Sequence, residues 1–91
     1  MYFKNIESLE NTIDLMLSDD YVDRLKAEYI QTKIRYEKLK KYNTSVTRDY
    51  MLGREVDDKV RRTHELYVEQ AKVMLNYLDV LELRLAIATA E

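Results

Sequence analysis

Residues 21–43, YVDRLKAEYIQTKIRYEKLKKYN, decide the fold. Within them Val22, Leu25, Tyr29, Thr32, Tyr36, Leu39 and Asn43 step three and four residues apart without a slip. That alternation holds side chains on one stripe of an α-helix and matches the seam of a coiled coil. The charges lie mainly elsewhere, and Lys26, Lys33 and Lys40 repeat every seven residues as one basic line. Just upstream, Ser18-Asp19-Asp20 offers side-chain oxygens to the free N–H groups of a helix start, and Asp23 places negative charge in its first turn. The spacing therefore predicts a helix over 20–43.

Working towards the N-terminus, Ile6, Leu9, Ile13, Met16 and Leu17 recur at helical offsets and predict a short amphipathic helix over 1–18. In the other direction, Asn43-Thr44-Ser45 breaks the seam, and the stretch to Gly53 holds residues that bond their own backbone and the only glycine. It reads as a connector over 44–53. The last segment, 54–90, is the longest. Val60, Tyr67, Met74, Leu81 and Ala88 share one heptad position, with Ala71, Leu78 and Leu85 beside them. From Ala71 onward a second line, Val73, Val80 and Ile87, joined by Leu75 and Leu83, makes the helix apolar on more than one side.

A helix of that kind is normally covered on more than one side. A hairpin of this length can cover only one, so further copies of the chain are the economical cover. The expected architecture is all-α: a short N-terminal helix, then an antiparallel helical hairpin, assembling into a helical-bundle oligomer through Val73, Leu75, Leu78, Val80, Leu83 and Ile87.

Composition narrows the chemistry. Ninety-one residues with one Gly, no Pro and no Cys form one small domain built for uninterrupted helices, without disulfides, thiolate zinc sites or cysteine nucleophiles. His64 is the only imidazole and has no second His or Cys, so neither a metal site nor a cofactor is expected; a surface or interface histidine is. A Gly-rich phosphate loop and a nucleophile elbow both need glycines that the chain lacks, which argues against an enzyme. No stretch has 18 uninterrupted apolar residues, so no membrane association is expected, and acids stand where a signal peptide starts positive; the expected location is the cytoplasm.

Net charge is −2, too balanced for a surface that grips nucleic acid throughout. Yet residues 21–43 carry seven bases against three acids, whereas residues 1–20 carry one base against five acids. Eight Tyr with no Trp is an aromatic choice that suits half-buried interfaces and the faces of nucleobases. Tyr36 and Lys40 lie in the basic helix. Arg48, Tyr50, Arg54 and Arg61 cluster around the connector, where planar guanidinium groups and a helix start can recognise phosphate. These six residues are the candidate anion site. The bland account is that Asp49, Glu55, Asp57 and Asp58 neutralise the arginines in local pairs. Polar residues beside the apolar line, Thr63, Gln70, Tyr77 and Arg84, fit either a hydrogen-bonded layer between helices or a polar pocket.

Two stretches carry a resemblance. Arg24-Leu25-Lys26-Ala27-Glu28-Tyr29 with Arg35-Tyr36-Glu37-Lys38-Leu39, and Gln70, Met74, Tyr77-Leu78, Val80-Leu81 and Arg84, resemble the small helical accessory proteins of tailed phages named after an uncharacterised reading frame of a crAss-like phage. The resemblance spans most of residues 21–88. It implies a phage or prophage origin and a non-structural role against host defence, exercised in the host cytoplasm. In architecture the chain is also similar to the phage cyclic-nucleotide sponges, which are short, helical and oligomeric. That analogy implies sequestration of an anionic cyclic nucleotide by a homo-oligomer. Two other outcomes stay open: a protein-binding inhibitor of a host defence or CRISPR effector, and a structural assembly factor without a ligand.

Overall fold

A computed structural model describes residues 9–90. Among them a single 3-10 turn, Leu9–Thr12, runs into α1 (Ile13–Met16), which is followed by α2 (Tyr21–Met51) and α3 (Asp58–Thr89). The two long helices pack along each other, and the N-terminal turn and α1 rest on α2. The result is a rod, 52 × 23 × 21 Å.

The start of α2 falls where the capping residues place it. Asp20 is the N-cap, and its carboxylate accepts from the Val22 N–H at 2.9 Å. Ser18 Oγ donates to Asp23 at 2.8 Å, which ties the preceding bend to the first turn. Every residue of the 22–43 seam is buried or half-buried. On α3 the residues facing that seam are Leu78, Leu81 and Leu85, and Leu25, Leu81 and Leu85 form one apolar cluster with Tyr29 and Ala88 packed against it. Leu81 is completely covered. Leu78 thus belongs to the hairpin's own interior and is not available to another copy, because it lies on the same side of α3 as Leu81 and Leu85.

The expected connector over 44–53 is helical for most of its length. α2 continues through Asn43-Thr44-Ser45 to Met51, since Val46 and Tyr50 carry the three-four spacing onward from Asn43 and Val46 is buried. Burying Val46 outweighs the few tenths of a kcal/mol by which Asn, Thr and Ser disfavour a helix. The break comes at Gly53, whose φ of +70° is the left-handed conformation that L side chains avoid. There the Gly53 N–H donates to the Tyr50 carbonyl at 3.1 Å and the Arg54 N–H to the Asp49 carbonyl at 2.9 Å. This pair of bonds is the Schellman ending. The true link is residues 52–57. α3 starts at Asp58 rather than Arg54, because Asp57 is its N-cap and accepts from the Lys59 N–H at 2.8 Å.

The N-terminal segment is less of a helix than its periodicity predicts. Its apolar residues Leu9, Ile13, Met16 and Leu17 stay exposed, and the fully covered side chain is Thr12. Thr12 Oγ1 donates to the Leu9 carbonyl at 2.6 Å and accepts from Gln31 Nε2 at 2.9 Å, so a polar contact fastens this segment to α2. Ile6, expected on the same face, lies outside the described residues. No helix among the described residues is long and apolar enough to cross a membrane.

Candidate functional site

One face of the second half of α2 presents Tyr36, Lys40, Asn43, Thr44, Thr47, Arg48 and Met51, all at offsets of about one helical turn from one another. Opposite them on α3 stand Val68, Ala71, Lys72 and Leu75, and Leu52 closes the end near the turn. Between these walls runs an open groove of about 530 Å³. Its size falls within the ordinary range for small-molecule sites. The floor is mostly aliphatic and aromatic, and Lys40, Arg48 and Lys72 rim it with positive charge.

The electrostatics favour an anion. No carboxylate lines this groove. Neither Lys40 nor Arg48 forms an ion pair among the described residues, and Lys72 only approaches the exposed Glu69, at 4.0 Å. Asn43 adds a second feature. Its Nδ2 donates to the Tyr67 carbonyl at 3.1 Å, across the hairpin, while its Oδ1 is covered and has no partner among the described residues. A covered acceptor without a donor is a free-energy cost of packing Asn43 between the helices.

Of the six candidate residues, the structure brings together Tyr36, Lys40 and Arg48 and separates the other three. Arg54 Nη1 donates to Asp49 Oδ1 at 3.0 Å. This ion pair joins the same two residues whose backbones close the Schellman ending, so Arg54 serves the end of α2. Arg61 pairs with Asp58 in the first turn of α3. Tyr50 lies against His64, with ring centroids 6.0 Å apart. His64 is half-buried there, and its Nδ1 has no partner among the described residues.

Thr47, Met51, Val68 and Lys72 were not singled out by sequence reasoning, and Asn43 was read only as the end of the seam. Once Val46 is recognised as helical, Asn43, Thr47 and Met51 follow from Tyr36 and Lys40 by helical steps. The α3 wall has no comparable signal, because which turn of α3 faces Arg48 depends on where the link ends.

On the opposite side of the hairpin a more open hollow of about 720 Å³ is lined by Thr32, Arg35, Lys38, Tyr42, Tyr67 and Gln70, among others. Tyr42 and Tyr67 meet edge to face there at 5.7 Å. Further along, Tyr77 Oη donates to Glu28 Oε1 at 2.6 Å and Arg84 donates to Tyr21 Oη. Tyr77 and Arg84, from the polar line of the sequence, are therefore tie points between the helices. The other two do different things: Thr63 bonds back to the carbonyls of Lys59 and Val60, and Gln70 lies in the hollow.

The family model described as Sequestin matches residues 19–87, which is the whole hairpin apart from its last two residues. The chain belongs to the Sequestin family. The match covers the stretch on which the resemblance to small helical accessory proteins rested and is consistent with it. The name of the Sequestin family suggests sequestration, and both walls of the groove lie inside the matched residues. No curated protein and no solved structure matches the chain.

Proposed function

We propose that this Sequestin is a non-enzymatic sponge that sequesters an anionic cyclic nucleotide signal in the groove between α2 and α3. Tyr36 offers an aromatic face for a base, Lys40 and Arg48 hold phosphate, and Lys72 closes the positive rim from α3. The observation that carries this reading is the meeting of Tyr36, Lys40 and Arg48 in one groove whose own lining holds no carboxylate, Glu37 lying in an adjoining hollow that shares Lys40 and Arg48. The family name supports a sequestering role. The protein acts as a phage or prophage accessory factor against host defence in the host cytoplasm, and works as a homo-oligomer joined through α3.

Isothermal titration of the full chain against a panel of cyclic nucleotides and cyclic ADP-ribose isomers tests this. Heat with one ligand class, lost in Arg48→Ala, is the expected result. Silence across the whole panel overturns the proposal. It would shift weight to capture of a host effector.

A further inference from the structure

The side of α3 turned away from the hairpin carries a second seam. Val73, Asn76, Val80, Leu83 and Ile87 are all exposed, and they step three, four, three and four residues along the helix. Leu83 is 66% and Ile87 78% exposed, in a helix whose opposite face holds the fully covered Leu81. Fifteen residues of helix, 73–87, thus display a heptad pattern with nothing seated on it among the described residues.

The residue types choose the occupant. Val73, Val80 and Ile87 take one of the two seam positions and are all β-branched, while Leu83 takes the other. That distribution favours two parallel strands over three or four. Asn76 is the single polar residue in the seam, and its side chain makes no hydrogen bond among the described residues. In a parallel, in-register pair each seam residue meets its own counterpart, so Asn76 can bond to Asn76 of the second copy. In an antiparallel pair it would face an aliphatic residue and leave its amide unpaired. Charge agrees: Asp79 precedes a seam valine and Arg84 follows the seam leucine of the next repeat, the two flanking positions that meet across a parallel pair. Arg84 spends one nitrogen on Tyr21 and retains others for Asp79 of the second copy.

We infer that α3 pairs with α3 of a second copy as a parallel, in-register, two-stranded coiled coil about a two-fold axis, with Asn76 fixing the register. The inference rests on the proposed self-association and is independent of what the groove binds. Lys72, on the groove rim, then flanks the dimer seam, so the two grooves lie beside the interface.

The chain has no cysteine, which makes orientation measurable by single substitutions. In the 91-residue chain, Asn76→Cys and Ile87→Cys should each give a disulfide-linked dimer on air oxidation, because in-register counterparts come within disulfide reach. An antiparallel pair can bring at most one of these two positions to the axis. Light scattering should show a dimer at micromolar concentration, and Leu83→Glu should raise its dissociation constant at least tenfold while circular dichroism stays helical. A monomeric wild type overturns both this inference and the proposed self-association. A dimer in which only one cysteine, or neither, forms the disulfide overturns the parallel arrangement alone.

Discussion

Tyr77 on α3 donates its phenol proton to the Glu28 carboxylate on α2, 49 residues away in sequence, at 2.6 Å. The bond needs a neutral phenol, and together with partial desolvation and the negative charge of Glu28 it raises the Tyr77 pKa, against a smaller lowering influence from Arg84. Tyr29 is raised as well, first by burial and then by Glu82 and Asp79.

These shifts give the fold an alkaline edge. For a phenol whose pKa is higher folded than unfolded, stability is intact below the unfolded value of about 10 and is lost as pH rises through the raised value. Urea midpoints measured between pH 8 and 11 should fall for the wild type and fall less for Tyr77→Phe, which has no proton to lose. Equal slopes would show that the Tyr77–Glu28 bond does not discriminate between the two protonation states.

Leu81 is fully covered at the centre of the apolar cluster, so Leu81→Ala removes packing that the surroundings can only partly refill. A loss of about 2–5 kcal/mol is expected from denaturant titration followed by circular dichroism. Leu66→Ala, 70% exposed on the same helix, should stay within about 0.5 kcal/mol.

At the end of α2, an alanine at position 53 would meet no heavy atom within 4 Å, so its cost is purely conformational. With φ at +70°, Gly53→Ala should destabilise by about 1–2 kcal/mol and leave the groove intact. A neutral effect in thermal melts would mean that the link readily takes another path.

The arginines on either side of that glycine should behave differently. Arg48→Ala and Lys40→Ala should each weaken ligand binding by about 1.5–3 kcal/mol, the range for a charge-assisted hydrogen bond. Arg54→Ala, whose partner is Asp49, should change binding little. If Arg54→Ala weakens binding as much as Arg48→Ala in the same titration, the anion sits nearer the link than the groove implies.

Most of the fold was legible because it rests on spacing. The 22–43 seam, the Leu81 line and the Asp20 cap follow from residue type and period alone, and each is where the pattern put it. The connector was misplaced for a physical reason. Asn, Thr and Ser at 43–45 disfavour a helix locally, and only burial of Val46 across the hairpin reverses that preference. The grouping of the candidate residues changes with it. Treating 44–53 as a loop grouped Arg48 with Arg54 and Arg61, whereas a continuous helix aligns Arg48 with Tyr36 and Lys40 and leaves the other two to serve helix ends. Lys72 could not be found from its own surroundings, since its role depends on how far α3 is set back by the link.

The short link at 52–57 also bears on how quickly the protein becomes usable. It joins two helices that are neighbours along the chain, so little loop-closure entropy precedes their docking, and topologies dominated by near-neighbour contacts fold within microseconds to milliseconds. With no proline to isomerise and no cysteine to oxidise, the two slowest common steps of maturation are absent. A sponge turns nothing over: each molecule removes a fixed number of ligands, and its effect scales with copy number. On the proposed sponge reading, binding capacity rises almost as fast as the ribosome delivers chains, with synthesis rather than folding setting the delay.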